Sequence, residues 1–122
     1  MHSDSAMPAV AAATPLPGVI HEMSHKKLGM TTVLDQESRK LLGIISDGDL
    51  RRLFERDGHM ALTRTAAQIM NPHPVTIPPE TFAAEALALM ESRKITSLIV
   101  TNPTGEALGV LHLHDLWTSA KP

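Results

Sequence analysis

The second half of this chain repeats the first, and that constrains its fold more than any other feature. At an offset of 66 residues Pro8 matches Pro74, Leu42 matches Leu108, Gly43 matches Gly109, Asp49 matches Asp115 and Leu50 matches Leu116. Through the end of the first helix and the strand after it the offset is 67, and there Met23 matches Met90, Lys27 matches Lys94, Leu28 matches Ile95 and Val33 matches Val100. The one-residue difference falls in the polar turn Asp35 to Lys40, which is longer in the first copy. Matches that keep one order, with turns and helices in register, mark an internal repeat. The copies divide the chain into residues 1–59, a linker at 60–69, and residues 70–122.

Each copy reads as an α/β unit of strand, helix, strand, strand and helix. In the first, Ala9-Val10-Ala11 is a short edge strand. Leu16 to Lys27 carries Val19, Ile20 and Met23 at helical spacing, with Pro17 in the first turn. Thr31 to Leu34 and Leu41 to Ile45 are apolar, β-branched strands. Asp47 to about Arg56 is a helix closed by Gly58. In the second copy Pro74 to Ile77 is an extended lead-in. Pro79 to Lys94 is a helix with Phe82, Ala86, Leu89 or Met90 and Arg93 on adjoining turns. Thr96 to Val100 and Leu108 to Leu111 are strands, and a last helix opens at His114. About 60 residues is marginal for a free-standing core. Two units packed with pseudo-twofold symmetry share one layer and leave two equivalent clefts between them.

Composition narrows the function. The chain is 43% hydrophobic but 2% aromatic, so the core is aliphatic, with the seven methionines as adaptable filling. Phe54, Phe82 and Trp117 are too few rings for a nucleic-acid stacking platform. A net charge of −2 supplies no basic field for DNA or RNA. The absence of cysteine excludes disulfides, thiolate metal sites and thiol nucleophiles. No run approaches the roughly 20 apolar residues of a membrane span, and the first residues lack the pattern of a signal peptide. A cytoplasmic protein is expected.

The residues with chemistry gather at strand ends. Ser46 and Asp49 sit where a buried strand meets a helix. They form a capping-box pattern, and the same helix N-terminus can hold an anion while the carboxylate accepts sugar hydroxyls. In the second copy Asp115 keeps the acid, while His112 takes the serine position. Extended backbone would point His112 and His114 the same way. Three roles stay open for them: a metal site with a third ligand from His73 or Asp115, recognition of an anion or sugar, or plain hydrogen bonding at a strand end. Lys26-Lys27 and Arg93-Lys94 end equivalent helices, where they either complement the helix C-terminus or reach a bound anion. Arg51 has Glu55 at i,i+4, which leaves Arg52 as the better anion ligand. No nucleophile, base and oxyanion hole come together, so no catalytic residue is assigned.

The duplicated element Gly-hydrophobic-hydrophobic-Ser-x-x-Asp, with its Met-x-x-x-Pro lead-in, resembles a tandem pair of cystathionine β-synthase (CBS) domains, also called a Bateman module. More closely, Lys27-Leu28-Gly29-Met30-Thr31, Ser46 to Arg52, Arg93-Lys94-Ile95-Thr96-Ser97 and Gly109 to Leu116 resemble the C-terminal regulatory region of bacterial arabinose 5-phosphate isomerases. These enzymes feed synthesis of Kdo, the lipopolysaccharide sugar acid. The resemblance implies a ligand site drawn from Lys27, Met30, Thr31, Ser46, Asp49, Arg52, Lys94, Thr96, Ser97, His112, His114 and Asp115. It implies a regulatory fragment of a longer enzyme whose sugar-isomerase (SIS) domain precedes it. The implied ligand is CMP-Kdo, which combines ribose, phosphate and a sugar carboxylate, or otherwise an adenine nucleotide. No cofactor or metal is required. Homodimers through paired modules, and a tetramer in the full enzyme, are expected. The alternative is a structural or oligomerisation module with no bound effector.

Overall fold

The computed structural model describes residues 6–114, and across that span the two copies fold alike. In the first, β1 (Ala9–Ala11), β2 (Met30–Leu34) and β3 (Leu41–Ser46) form a sheet in that order. Helix α1 (Leu16–Lys26) crosses between the parallel pair β1 and β2, β3 returns antiparallel, and α2 (Asp47–Asp57) follows. A 3₁₀ turn (Gly58–Thr63) and the one-turn helix α3 (Ala66–Ile69) lead to the second copy. There β4 (Thr76–Ile77), β5 (Ser97–Thr101) and β6 (Ala107–His112) repeat the order and directions, with α4 (Ala83–Arg93) as the crossover.

The equivalence extends to irregularities. The ladder slips between Val33 and Leu34 in one sheet and between Val100 and Thr101 in the other. Lys27 and Lys94 both close their helices in the left-handed region, at φ 60 and φ 56. Such a conformation costs a residue with a side chain about 1–2 kcal/mol. Arg39 and Gly105, also repeat partners, share positive φ. A local twofold axis passes between them. The Leu41 N–H donates to the Gly105 carbonyl (2.9 Å), the Ala107 N–H donates to the Arg39 carbonyl (3.3 Å), and Lys40 faces its own counterpart Glu106.

Strand alternation divides the core into three parts. In β2 the side chain of Val33 enters a cluster with Leu16, Val19, Met23, Ile45 and Leu53 beneath the first copy's helices. Met30 and Leu34 face the other way and join Ile99, Ala107 and Val110 of the second copy. That second cluster is the shared aliphatic layer. Ile77, Ala86, Met90, Leu98 and Val100 form the second copy's own core. The edge strand is pinned by Glu22 of α1, whose carboxylate accepts the Ala9 N–H (2.9 Å) and pairs with Lys26 (2.9 Å). Burial pushes the Glu22 carboxyl up, but these bonds outweigh it and hold the acid below its ordinary range.

Two expectations change. Helix α4 starts at Ala83 and not at Pro79, because Pro78 and Pro79 form a turn closed by the Thr81 N–H on the Pro78 carbonyl (3.2 Å). Phe82 is therefore a helix-cap residue, 74% exposed, and Ala86 and Met90 alone are buried from this helix. The linker at 60–69 packs on the first copy. Ala61 and Ala66 are fully buried in the first copy's core, and Leu16 N–H to Arg64 carbonyl and Ala66 N–H to Thr14 carbonyl stitch it to α1. Strand β6 ends at His112 and the backbone at 113–114 is already helical, so His112 and His114 do not alternate on one strand. The expected helix beyond them, with Asp115 and Trp117, lies outside the described residues.

Candidate functional site

The site begins where β3 runs into α2. The Ser46 hydroxyl accepts the Asp49 N–H (3.2 Å), and Asp49 Oδ2 accepts the Ser46 N–H (2.9 Å). This reciprocal capping box fixes the carboxylate over the helix N-terminus. Asp49 Oδ1 accepts from Arg52 (2.8 Å). Both oxygens are thus engaged within the protein, the second by a largely exposed guanidinium. Such surface pairs contribute about 0–1 kcal/mol, so an incoming donor displaces Arg52 at small cost.

The floor is made by the chain that joins the copies. Ile44 and Asn71 exchange two backbone hydrogen bonds, Ile44 N–H to Asn71 carbonyl (3.0 Å) and Asn71 N–H to Ile44 carbonyl (2.7 Å). Glycine at position 43 permits this crossing, since a Cβ there would stand 2.6 Å from the Asn71 carbonyl oxygen and 2.7 Å from Met70 Sδ.

A cleft of about 380 Å³ results. The first copy supplies Leu28, Gly29, Met30, Ile44, Ser46, Asp49 and Arg52, and the second supplies Lys94, Ile95, Thr96 and Ser97, with Asn71 and Val75 between them. The volume falls in the range of small-molecule sites, with apolar walls and a few convergent polar groups. One of those groups is conspicuous. Ser97 Oγ is buried and has no hydrogen-bond partner in the protein. A buried polar atom left in that state costs about 1–3 kcal/mol.

Seven of the expected site residues therefore come together: Met30, Ser46, Asp49, Arg52, Lys94, Thr96 and Ser97. Thr31 does not join them. It is fully buried, on the face of β2 that looks toward α1, and its hydroxyl donates to the Thr32 carbonyl. Lys27 lines a different groove, between α1 and the start of α2. His112 pairs with Ser97 across β5 and β6, as Ser46 pairs with Met30 in the first sheet, and its Nδ1 accepts the His114 N–H (3.2 Å). Asp115 lies outside the described residues. The reading from sequence missed Gly29, Ile44, Asn71, Val75, Leu28 and Ile95. The last two were visible as the apolar residue after each left-handed lysine, but the fold-back of Asn71 onto β3 has no local sequence signature.

Comparison with known proteins agrees with this architecture. Residues 3–56 and 66–116 match the CBS domain family. The chain is 44% identical over 116 residues to the arabinose 5-phosphate isomerase KdsD of Pseudomonas aeruginosa, covering 95% of this chain and 35% of that protein. It thus spans about a third of the length of the curated relatives it matches. Among solved structures, CBSX2 in complex with AMP superposes with a TM-score of 0.85 at 24% identity, over 98% of this chain and 91% of that one. A CBS domain protein from Pyrobaculum aerophilum complexed with AMP gives 0.80 at 21% identity, over 89% and 82%.

Proposed function

The chain belongs to the CBS-domain family, and we propose that its inter-repeat cleft is the nucleotide site of a regulatory module serving an arabinose 5-phosphate isomerase. The observation that carries this reading is the cleft itself, which gathers Ser46, Asp49 and Arg52 of the first copy with Lys94, Thr96 and Ser97 of the second around apolar walls. The unpartnered Ser97 Oγ belongs to the same wall but is closed off from solvent, so a ligand reaches it only when that wall opens. The rest of the cleft suits a nucleotide. The apolar Leu28, Ile44, Val75 and Ile95 offer a slot for a base. Asp49 accepts ribose hydroxyls once Arg52 swings away. Arg52 and Lys94, beside the N-terminus of α2, take a phosphate. The AMP complexes of two similar structures make an adenine nucleotide the first candidate. CMP-Kdo is the second, its sugar carboxylate reaching the basic groups.

A cleft lined by both copies supports a regulatory reading. A ligand touching both copies favours the relative placement of the copies that it fits. It biases an attached sugar-isomerase domain only through its differential affinity for two states, with couplings typically about 1–3 kcal/mol. The module itself performs no chemistry, so it will not interconvert arabinose 5-phosphate and ribulose 5-phosphate.

A second reading rests on the capping box. Because Ser46 and Asp49 already satisfy each other and Arg52, they also suit a purely structural module that holds protomers together. Calorimetry with AMP, ADP, ATP and CMP-Kdo separates the two. Saturable heat with any of them, lost in Asp49→Ala while light scattering shows unchanged assembly, supports the ligand site. No heat and no thermal shift with all four leaves the structural reading.

A further inference from the structure

Helix α1 carries the run His21-Glu22-Met23-Ser24-His25, which the cleft does not use. Histidines four apart share one helix face. Here both are exposed, and their rings lie parallel, within 5° and with centroids 6.2 Å apart. Bonds of about 2.0–2.1 Å from one nitrogen of each ring to a shared metal ion need only side-chain rotation on that open surface. His25 also sits in the last turn, where the helix C-terminus favours a cation.

We propose that His21 and His25 form a surface chelate for a borderline divalent metal such as Zn²⁺ or Ni²⁺, with water completing the coordination. The same spacing, H-E-x-x-H on a helix, is the ligand pattern of zinc peptidases, in which the glutamate acts as general base. The structure withdraws that role. Glu22 Oε2 accepts from the Ala9 N–H and from Lys26 Nζ, both at 2.9 Å, so the side chain is held toward β1 and Lys26. Among the described residues no group of three or more His, Cys, Asp or Glu is placed to hold a metal. The site is therefore a two-ligand chelate that binds metal without hydrolysing peptides. The engaged Glu22 also holds the Lys26 ammonium, which keeps that charge paired beside the metal position.

The test titrates the full chain with Zn²⁺ by calorimetry and with paramagnetic Ni²⁺ by amide NMR, near neutral pH so that imidazole is available as a ligand. Broadening centred on α1 is expected before any elsewhere. His21→Ala and His25→Ala should each weaken binding by about 10- to 100-fold, because the second imidazole binds at high effective concentration once the first is bound. Both positions are exposed and alanine favours helix, so the variants should fold, and an unchanged circular dichroism spectrum checks this. Broadening that begins at His59, His73 or residues 112–114 with α1 unaffected would overturn the assignment. Equal affinity of either single variant and the parent would do the same. Peptide hydrolysis by the zinc-loaded chain would overturn the role given to Glu22.

Discussion

Gly43→Ala puts the linker's crossing of β3 to a quantitative test. The added Cβ would lie 2.6 Å from the Asn71 carbonyl oxygen, and that neighbour is backbone. It cannot rotate out of the way as a side-chain end can. Either β3 or the 70–71 segment must move, and the two reciprocal Ile44–Asn71 bonds are strained or lost together. Two backbone hydrogen bonds contribute about 1 kcal/mol each, and overpacking adds about 1–3 kcal/mol. Alanine returns about 0.4–1 kcal/mol by restricting the unfolded chain. The net cost is about 2–4 kcal/mol, or a fall in Tm of roughly 10 °C for a domain of this size. Gly105→Ala is the comparison, since it adds a Cβ at φ 88 with nothing within 4 Å and so costs only backbone strain, about 1 kcal/mol. Urea unfolding of the three proteins gives the energies, and hydrogen exchange of the Ile44 and Asn71 amides locates the damage. If Gly43→Ala costs no more than Gly105→Ala, or if those two amides keep their protection, the account of this crossing is wrong.

Two other substitutions separate stability from binding and from pH. Ser97→Ala removes a buried, unpartnered hydroxyl in the cleft wall, so stability should hold or rise by up to about 1 kcal/mol while nucleotide affinity falls if ligand binding opens that wall, read by urea midpoint and by calorimetry. A loss of stability without loss of affinity would mean the hydroxyl serves the fold. Glu22 has a folded pKa lowered from its ordinary 4.5, so the stability it contributes is fully present above that value and is lost as pH falls through the lowered folded value. Glu22→Gln should therefore be less stable than the parent at neutral pH and flatten the acid limb of the urea midpoint below about pH 4.5. Parallel curves for the two proteins would remove Glu22 from that role.

The elements of the first copy were legible almost to the residue, because each boundary has a local cause. Pro15 and Pro17 open α1, Ser46 caps α2, and Gly58 closes it. The second copy was less so at α4, where two prolines and no capping side chain left the start to tertiary packing. Side-chain direction was the weaker inference at the site. The resemblance implies Thr31 as a ligand residue, whereas the repeat argues otherwise. Its partner at offset 67 is Leu98, a fully buried core residue, whereas the partner of Ser97 is Met30. A strand side chain has one of two faces, and repeat partners share a face, so an apolar Leu98 in the core assigns Thr31 to the helix side.

The same pairing explains why the two copies do not make equal clefts. Where the second copy offers Thr96 and Ser97, the first offers Gly29 and Met30, and where the first has Ser46 the second has His112. Each left-handed lysine and each hydrogen bond from the helix start to the preceding strand is kept in both copies, Asp47 N–H to Gly29 carbonyl and Leu113 N–H to Thr96 carbonyl. The backbone frame is thus duplicated while the hydroxyls are not. All three cleft hydroxyls, Ser46, Thr96 and Ser97, line the described cleft beside Asp49, and the unpartnered one is among them. A frame retained for stability alone would gain nothing from gathering Ser46, Asp49, Thr96 and Ser97 on one side only. That asymmetry is what favours a ligand in this cleft over a symmetric structural role.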